Sequence, residues 1–352
     1  MARGDGLRFG RRIWSVVGIV AMLATVLVAA ITMPEPDGPG LPRTDHITRS
    51  ASPVARPDAP SSGGPKLDSK ATLRGTSVAG RTLNYCGNGS IDQIPGRVQR
   101  VIFVVHGNDR SSCSVASSVL AAANSAQRAE TLVVAPRFST PADAANDPRM
   151  LTWTPSGWSR GDETVSSGPR ISSFAVLEQL MDRVGDRPTV VAGFSGGGQY
   201  VNRFAASTSR QPIRFVVTNP SSYLYFTRER PGAPADLAHG CPTWNNYRYG
   251  TDNLNPYMAA IGKEKLQSNY LSHHVTYLLG TADKDVQSGS MDKRCEANAQ
   301  GPQRLARGRG YHDHILSLGA DPEKHPLAYV ERGNHNPLRM FNSRAGRIAL
   351  FH

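Results

Sequence analysis

Cysteine is scarce in this sequence: the 352 residues include four cysteines, and no two of them form a C-x-x-C pair. Structural zinc sites need two close ligand pairs, which these spacings do not supply. An even number of isolated cysteines is instead typical of disulfides in a protein of an oxidising compartment. Three pairings are possible, and we favour Cys86–Cys113 and Cys241–Cys295 because each joins neighbouring stretches of chain.

The sequence also lacks basic runs interleaved with aromatic residues, and it has no internal repeat. Nucleic-acid-binding segments combine both residue types, so their absence argues against a nucleic-acid partner. The formal net charge is nevertheless +12, and most of it lies beyond residue 70. We interpret this charge as a solvated basic surface, with attraction to anionic lipid or wall polymers as the open alternative.

Charge is absent from residues 13–33, an apolar stretch that ends before Pro34. The preceding tail, residues 1–12, is basic and contains Arg3, Arg8, Arg11 and Arg12. A basic flank followed by a long apolar run indicates an export signal. The run is close to the ~20 residues that span a bilayer, so it predicts a membrane anchor, although Val28-Ala29-Ala30 would also suit cleavage as a signal peptide. Either way, the rest of the chain is predicted to be extracytoplasmic.

Residues 34–72 are rich in Pro, Ser, Gly and Asp and contain few aliphatic residues. Such a composition cannot bury a core and predicts a flexible linker. Over residues 73–352, short apolar runs alternate with helical patterns, which predicts a single α/β domain with a doubly wound, mostly parallel sheet. The predicted strands are Val101–Val105, Thr131–Ala135, Thr189–Ala192, Phe215–Thr218, Val275–Leu279 and Leu327–Val330.

Helical patterns lie near Val115–Ala129, Ser173–Val184 and Glu296–Leu318, and another begins at about Gly196. Residues 227–268 interrupt the alternation of strand and helix patterns, because they are polar and aromatic with two prolines near the start. We interpret them as an insertion over the carboxyl edge of the sheet. Ligands bind beyond the carboxyl ends of strands in such sheets, so the loops that follow strands are expected to carry the chemistry.

The loop after the strand Thr189–Ala192 contains Gly193-Phe194-Ser195-Gly196-Gly197. Gly-x-Ser-x-Gly is a weak motif alone, but here a buried strand runs into it and a helix runs out of it. This strand–turn–helix arrangement predicts a nucleophile elbow with Ser195 exposed on a tight turn. A phosphate-binding loop is disfavoured because the lysine of a P-loop is missing.

Two more loops supply the groups that such a serine needs. Asp283 follows the strand Val275–Leu279, and His335 follows the strand Leu327–Val330. The chain order Ser195, Asp283, His335 predicts nucleophile, acid and base of a catalytic triad. Asp285 is the alternative acid.

The loop His106-Gly107-Asn108 follows the strand Val101–Val105. We predict that the backbone N–H of Asn108, or that of Gly107, forms an oxyanion hole with the N–H of Gly196. For His106 a structural role is favoured over service as a second base.

The segments HGN, GFSGGGQY, LLGTADKDV and ERGNHNPLRMF resemble the oxyanion loop, nucleophile elbow, acid loop and histidine loop of the α/β-hydrolase superfamily. The resemblance spans roughly residues 95–345. In this superfamily the acid typically stands three residues after a glycine, which favours Asp283, three residues after Gly280, over Asp285. The stretch 295–308, together with Cys241-Pro-Thr-Trp244, resembles a poorly characterised exported branch.

The resemblance implies an exported serine hydrolase of the carboxylesterase or lipase type, acting on a small or polymeric ester and needing neither metal nor cofactor. An acyltransferase that uses hydroxyl acceptors of the cell envelope is one alternative, and a non-catalytic binding module is another. Aromatic residues in the insertion or after strands are expected at the pocket mouth, with core packing as the competing interpretation. They are Trp153, Trp158, Trp244, Tyr223 and Tyr225.

Overall fold

The computed structural model describes residues 65–144, 147–231, 233 and 236–352. The predicted basic tail, signal segment and most of the linker, residues 1–64, lie outside the described residues. Within the described part of the chain, no helix is long and apolar enough to cross a membrane.

A single eight-stranded sheet organises the domain. Its strands follow the spatial order β1-β2-β4-β3-β5-β6-β7-β8. The first two strands and β4 pair antiparallel, whereas all pairs from β4 across to β8 are parallel. The strands are β1 (Thr72–Val78), β2 (Arg81–Gly87), β3 (Arg100–Val105), β4 (Thr131–Pro136), β5 (Thr189–Phe194), β6 (Ile213–Thr218), β7 (His274–Gly280) and β8 (Leu327–Val330).

Helices cover both faces of this sheet and create two hydrophobic cores, one on each side. The central strands are buried on both faces, which explains their unbroken apolar runs. The helices are α1 (Ser112–Ala122), α2 (Ser125–Glu130), α3 (Ser173–Met181), α4 (Gly196–Ser207), α5 (Leu237–Gly240), α6 (Pro256–Ile261), α7 (Lys263–Ser272), α8 (Cys295–Asn298), α9 (Arg304–Ser317), α10 (Pro337–Asn342) and α11 (Arg344–Phe351).

Two of the predicted helices are each divided in two. The pattern at 115–129 breaks at Asn124, where a capping box starts α2. The Asn124 side chain accepts from the backbone N–H of Gln127, and the Gln127 side chain accepts from the backbone N–H of Asn124. The pattern at 296–318 breaks between α8 and α9, where Gln303 caps α9. A local cap can restart a helix within an apolar periodicity that looks continuous.

The insertion predicted at 227–268 overlaps a helix of the main layer. Helix α7 packs on α4, and its Leu266 and Tyr270 lie fully in the core. The preceding segment holds Trp244 and Arg248 in a turn-rich region without strands. The irregular part of the insertion therefore ends before α6.

Both predicted disulfides are present. Cys86 of β2 is bonded to Cys113 of α1, and Cys241 is bonded to Cys295 at the start of α8. The first joins the antiparallel edge of the sheet to a covering helix. The second joins the irregular insertion to the segment that follows β7.

We expect the Cys241–Cys295 bond to contribute more to stability than the other disulfide. The two bonds close loops of 54 and 27 residues, which the chain-entropy model values at about 4 and about 3.5 kcal/mol, respectively. Replacing each pair with serine should lower the free energy of unfolding in that order, as measured by urea denaturation of the oxidised proteins. If four free thiols were found by mass spectrometry without reductant, the assignment would be wrong.

Candidate active site

Ser195 stands on a sharp turn between β5 and α4. Its backbone has φ 58° and ψ −116°, a left-handed conformation that costs a non-glycine residue roughly 1–3 kcal/mol. The turn is held by close backbone approaches. A Cβ atom on Gly193 would overlap the carbonyl of Gly197, and one on Gly197 would overlap the carbonyl of Val105 in β3. Glycine is therefore required at both positions for this elbow to form.

Ser195, His335 and Asp283 form a continuous chain of hydrogen bonds. His335 Nε2 lies 2.9 Å from Ser195 Oγ, and His335 Nδ1 lies 2.7 Å from Asp283 Oδ2. Since the carboxylate can only accept, Nδ1 carries the proton and Nε2 is free to accept from the serine hydroxyl. Ser195 and Asp283 are buried, whereas the imidazole is partly exposed. The alternative acid, Asp285, is exposed and accepts from the backbone of Gln287.

The loops that carry Asp283 and His335 are packed against each other. The backbone N–H of Ala282 donates to Gly333 C=O at 2.9 Å, and the N–H of Thr281 donates to Val330 C=O at 3.0 Å. A Cβ atom on Gly280 would overlap the carbonyl of Gly333. The parallel pairing of β7 with β8 thus sets the separation of the acid from the imidazole.

Arg304 contacts the Asp283 oxygen that does not face His335, at 3.3 Å from its Nη1 to Oδ1. Its Nη2 donates to Ser290 Oγ at 2.9 Å. Burial lowers the pKa of Arg304, and the Asp283 carboxylate opposes that shift. Sequence reasoning assigned no role to this arginine, because a charged residue at the start of a helix is ordinarily solvated.

The loop after β3 lies against the start of α4, as an oxyanion hole requires. A Cβ atom on Gly196 would lie 3.2 Å from the backbone N of Asn108. Neither the N–H of Asn108 nor that of Gly196 donates a hydrogen bond to any residue the structure describes. Two adjacent free donors beside Ser195 Oγ can receive a negatively charged oxygen.

His106 is fully buried and has both ring nitrogens engaged. The N–H of Phe138 donates to its Nε2 at 3.1 Å, so Nδ1 carries the proton and donates to Gly107 C=O at 2.8 Å. Burial lowers its pKa to about 4. A neutral imidazole held in this way shapes the loop and does not exchange protons with a substrate.

Solved structures share this architecture. One is poly(aspartic acid) hydrolase-1 from Sphingomonas sp. KT-1, with 21% identity and a TM-score of 0.58, covering 81% of this chain and 100% of that one. Another is the poly(3-hydroxybutyrate) depolymerase LpqC from Bordetella parapertussis, with 20% identity and a TM-score of 0.55, covering 76% of this chain and 86% of that one. The chain has the α/β-hydrolase fold.

No family model and no curated protein matches the sequence. At 20–21% identity, likeness to solved structures establishes the fold alone, because one fold carries many chemistries. The resemblance of the stretch 295–308 to an exported branch of the superfamily therefore stays a prediction.

Two cavities lie beside Ser195 in this α/β-hydrolase domain. The smaller, about 270 Å³, is lined by Ser195 and His335 together with Phe194 and the loop after β3. The larger, about 640 Å³, lies over the first turn of α4. Asn108 and Ser290 line both cavities, so the two are adjacent.

The aromatic residues expected at the pocket mouth do not line either cavity. Trp153, Trp158, Tyr223 and Tyr225 are fully buried in the hydrophobic core, and Trp244 is 7% exposed. Trp158 packs on His106 and donates from Nε1 to Pro155 C=O at 3.0 Å, while Tyr223 stacks on Tyr311. The expectation was wrong because these side chains contribute buried apolar area and not substrate contact.

The geometry of the elbow predicts that two glycine substitutions differ strongly in their effect on the free energy of unfolding. Gly193→Ala should destabilise the protein by roughly 3 kcal/mol, because the new methyl group overlaps backbone that cannot move independently. Gly96→Ala is the control, since a Cβ atom there has no neighbour within 4 Å. Urea denaturation of the two variants tests this, and equal stabilities would contradict the described geometry.

Proposed function

We propose that this protein is a serine hydrolase that cleaves carboxylic esters through an acyl-enzyme. The hydrogen-bonded chain from Ser195 Oγ through His335 to Asp283 is the observation that carries the proposal. Its strained elbow and the pair of free N–H donors support the same assignment. Each group stands where a triad mechanism uses it.

In the acylation step, Ser195 Oγ attacks the ester carbonyl carbon while His335 Nε2 takes the hydroxyl proton. The carbonyl oxygen becomes negatively charged and is held by the N–H groups of Asn108 and Gly196. His335 then returns the proton to the departing alkoxide, and the acyl group remains on Ser195. Asp283 accepts from Nδ1–H throughout and stabilises the imidazolium that forms.

In the deacylation step, His335 takes a proton from a water molecule that attacks the acyl carbon. The same two N–H groups hold the second oxyanion, and the proton returns to Ser195 Oγ as the acid leaves. Arg304 acts as a positioning residue, because it holds Asp283 through the oxygen that His335 does not use.

An ester substrate agrees with the similarity to a poly(3-hydroxybutyrate) depolymerase, because that polymer is a polyester. Poly(aspartic acid), named for the other similar hydrolase, is a polymer joined by amide bonds. A polymeric substrate is consistent with the two adjacent cavities beside Ser195. Two disulfides support an extracytoplasmic location, in agreement with the export signal predicted from residues 13–33.

A fluorophosphonate probe tests the nucleophile directly. The wild-type protein should be labelled at Ser195, and Ser195→Ala should lose both labelling and roughly 10⁴- to 10⁶-fold of its turnover of a small ester, since only binding and the oxyanion hole remain. Ser209→Ala, at an exposed serine away from the site, is the matched control. If Ser195→Ala retained a tenth of the activity, Ser195 would not be the nucleophile.

The acid can be identified by comparing two aspartates on one loop. Asp283→Asn should reduce turnover by about four orders of magnitude, because the amide no longer holds the required imidazole tautomer. Asp285→Asn should change turnover less than about tenfold, since it alters only surface electrostatics. Both variants are assayed with a small ester after circular dichroism has shown that they are folded. The opposite ranking would assign the acid to Asp285.

A further inference from the structure

The larger cavity beside Ser195 has a strongly unequal charge, and we call it the basic cavity. Four cations line it, Arg110, Arg248, Lys293 and Arg294, against the single carboxylate of Asp292. Asp292 is paired with Arg248 at 2.7 Å and, more loosely, with Arg294 at 3.8 Å. Lys293 and Arg294 form the exposed rim of the cavity, and the Arg294 side chain is 61% exposed.

Two further arginines lie directly behind the cavity wall. Arg203 is fully buried, and its guanidinium donates to Ser159 C=O at 2.9 Å and to Gln199 Oε1 at 3.3 Å. Arg307 is equally buried and donates to Ser221 C=O at 2.5 Å. Ser159, Gln199 and Ser221 all line the basic cavity.

Neither buried arginine forms a salt bridge with any residue the structure describes. Arg203 contacts carbonyl, amide and hydroxyl oxygens, and Arg307 contacts backbone carbonyls and Asn298 Oδ1. Burial lowers the pKa of each to about 10, so both stay charged at neutral pH. Two buried positive charges without a salt-bridge partner are costly, and an anion in the adjacent cavity would offset part of that cost.

The nearby carboxylates offset only part of this surplus. Arg110 pairs with Asp143, which is shared with Arg137, and Arg304 pairs with Asp283. A concave surface lined by charges of one sign over low-dielectric walls concentrates the electric field. The basic cavity is therefore a region of positive potential, and its volume of about 640 Å³ suits part of a substrate.

The basic cavity is also close enough to Ser195 for one substrate to occupy both sites. Gln199 lines it and lies four residues after Ser195 in the first turn of α4, which corresponds to about 6 Å along a helix. Asn108, assigned to the oxyanion hole, forms part of its wall. A group bonded to the reacting ester through a few atoms would reach the cations.

We propose that the basic cavity is a subsite for an anionic group, so that the preferred substrates are esters bearing a carboxylate or phosphate a few atoms from the scissile bond. This inference rests on the proposed hydrolase function for its catalytic consequence. The subsite itself depends only on the cations and on the cavity that they surround.

Two pairs of esters test this preference, one with the charge on the acyl side and one with it on the alcohol side. The first pair is mono-4-nitrophenyl glutarate and 4-nitrophenyl pentanoate, and the second is 4-carboxybenzyl acetate and benzyl acetate. In at least one pair, kcat/KM of the wild-type protein should be about tenfold or more higher for the anionic ester at low salt. The ratio should fall as salt screens the charges.

The double variant Lys293→Gln/Arg294→Gln should lower the anionic-to-neutral ratio of kcat/KM by about tenfold, because it removes two of the four cations that line the basic cavity. Both side chains are exposed, so the substitutions leave the core unchanged. The double variant Arg149→Gln/Lys324→Gln removes the same charge from exposed positions outside the cavity and should keep the wild-type ratio. Equal use of anionic and neutral esters in both pairs, or equal ratios in the two double variants, would overturn the proposal.

Calorimetry with Ser195→Ala separates the subsite from the catalytic assignment. Glutarate or inorganic phosphate should bind, dimethyl glutarate should not, and Lys293→Gln/Arg294→Gln should weaken anion binding by about tenfold. The anion that binds identifies whether carboxylate or phosphate is preferred. If the wild-type protein turned over no ester but still bound the anion, only the hydrolase function would be refuted. If no anion bound, the subsite would be refuted.

Discussion

Backbone atoms of β3, β5 and α4 approach one another at Gly193 and Gly197 more closely than any side chain permits. This contact aligns the start of α4 with the end of β5 and forces Ser195 into its left-handed conformation. The hydroxyl is consequently directed at the loop that carries His335, while Gly196 is brought against Asn108. The positions of nucleophile and oxyanion donors thus follow from one steric constraint, which the surrounding parallel strands maintain.

The parallel strands and the site residues on the loops after them could be predicted because both signals are local. Buried parallel strands appear as short aliphatic runs, and the topology brings the carboxyl ends of β5, β7 and β8 to one edge. The antiparallel pair β1 and β2 was missed, because β1 is largely exposed and has no apolar run. The two strands are joined by a two-residue turn at Ala79 and Gly80, both with positive φ, and Ala-Gly is not one of the residue pairs that ordinarily mark such a turn.

The sequence could not have revealed the roles of the arginines or of the aromatic residues. Whether an arginine is solvated or buried depends on which carbonyls the folded chain places around it, and those of Arg203 come from separate parts of the sequence. Likewise, a tryptophan after a strand can contact substrate or complete the core, and Trp158 completes the core against His106. Burial of long polar side chains is decided by tertiary packing and not by local pattern.

The segment between β7 and α9 contains the acid, the cationic rim and little regular structure, so its order needs an explanation. Helix α9 provides one, because Arg304 donates to Ser290 and Asp283, and Arg307 donates to the carbonyl of Asp292. The bond between Cys241 and Cys295 fixes the far end of the segment. Ordering a polar loop costs about 1–2 kcal/mol per residue in backbone entropy. Charge-assisted hydrogen bonds from buried arginines offset that cost where apolar contacts are few. Arg307, one of the two buried arginines behind the basic cavity, therefore also helps to hold the segment that carries Asp283, which couples the charge of the cavity to the order of that segment.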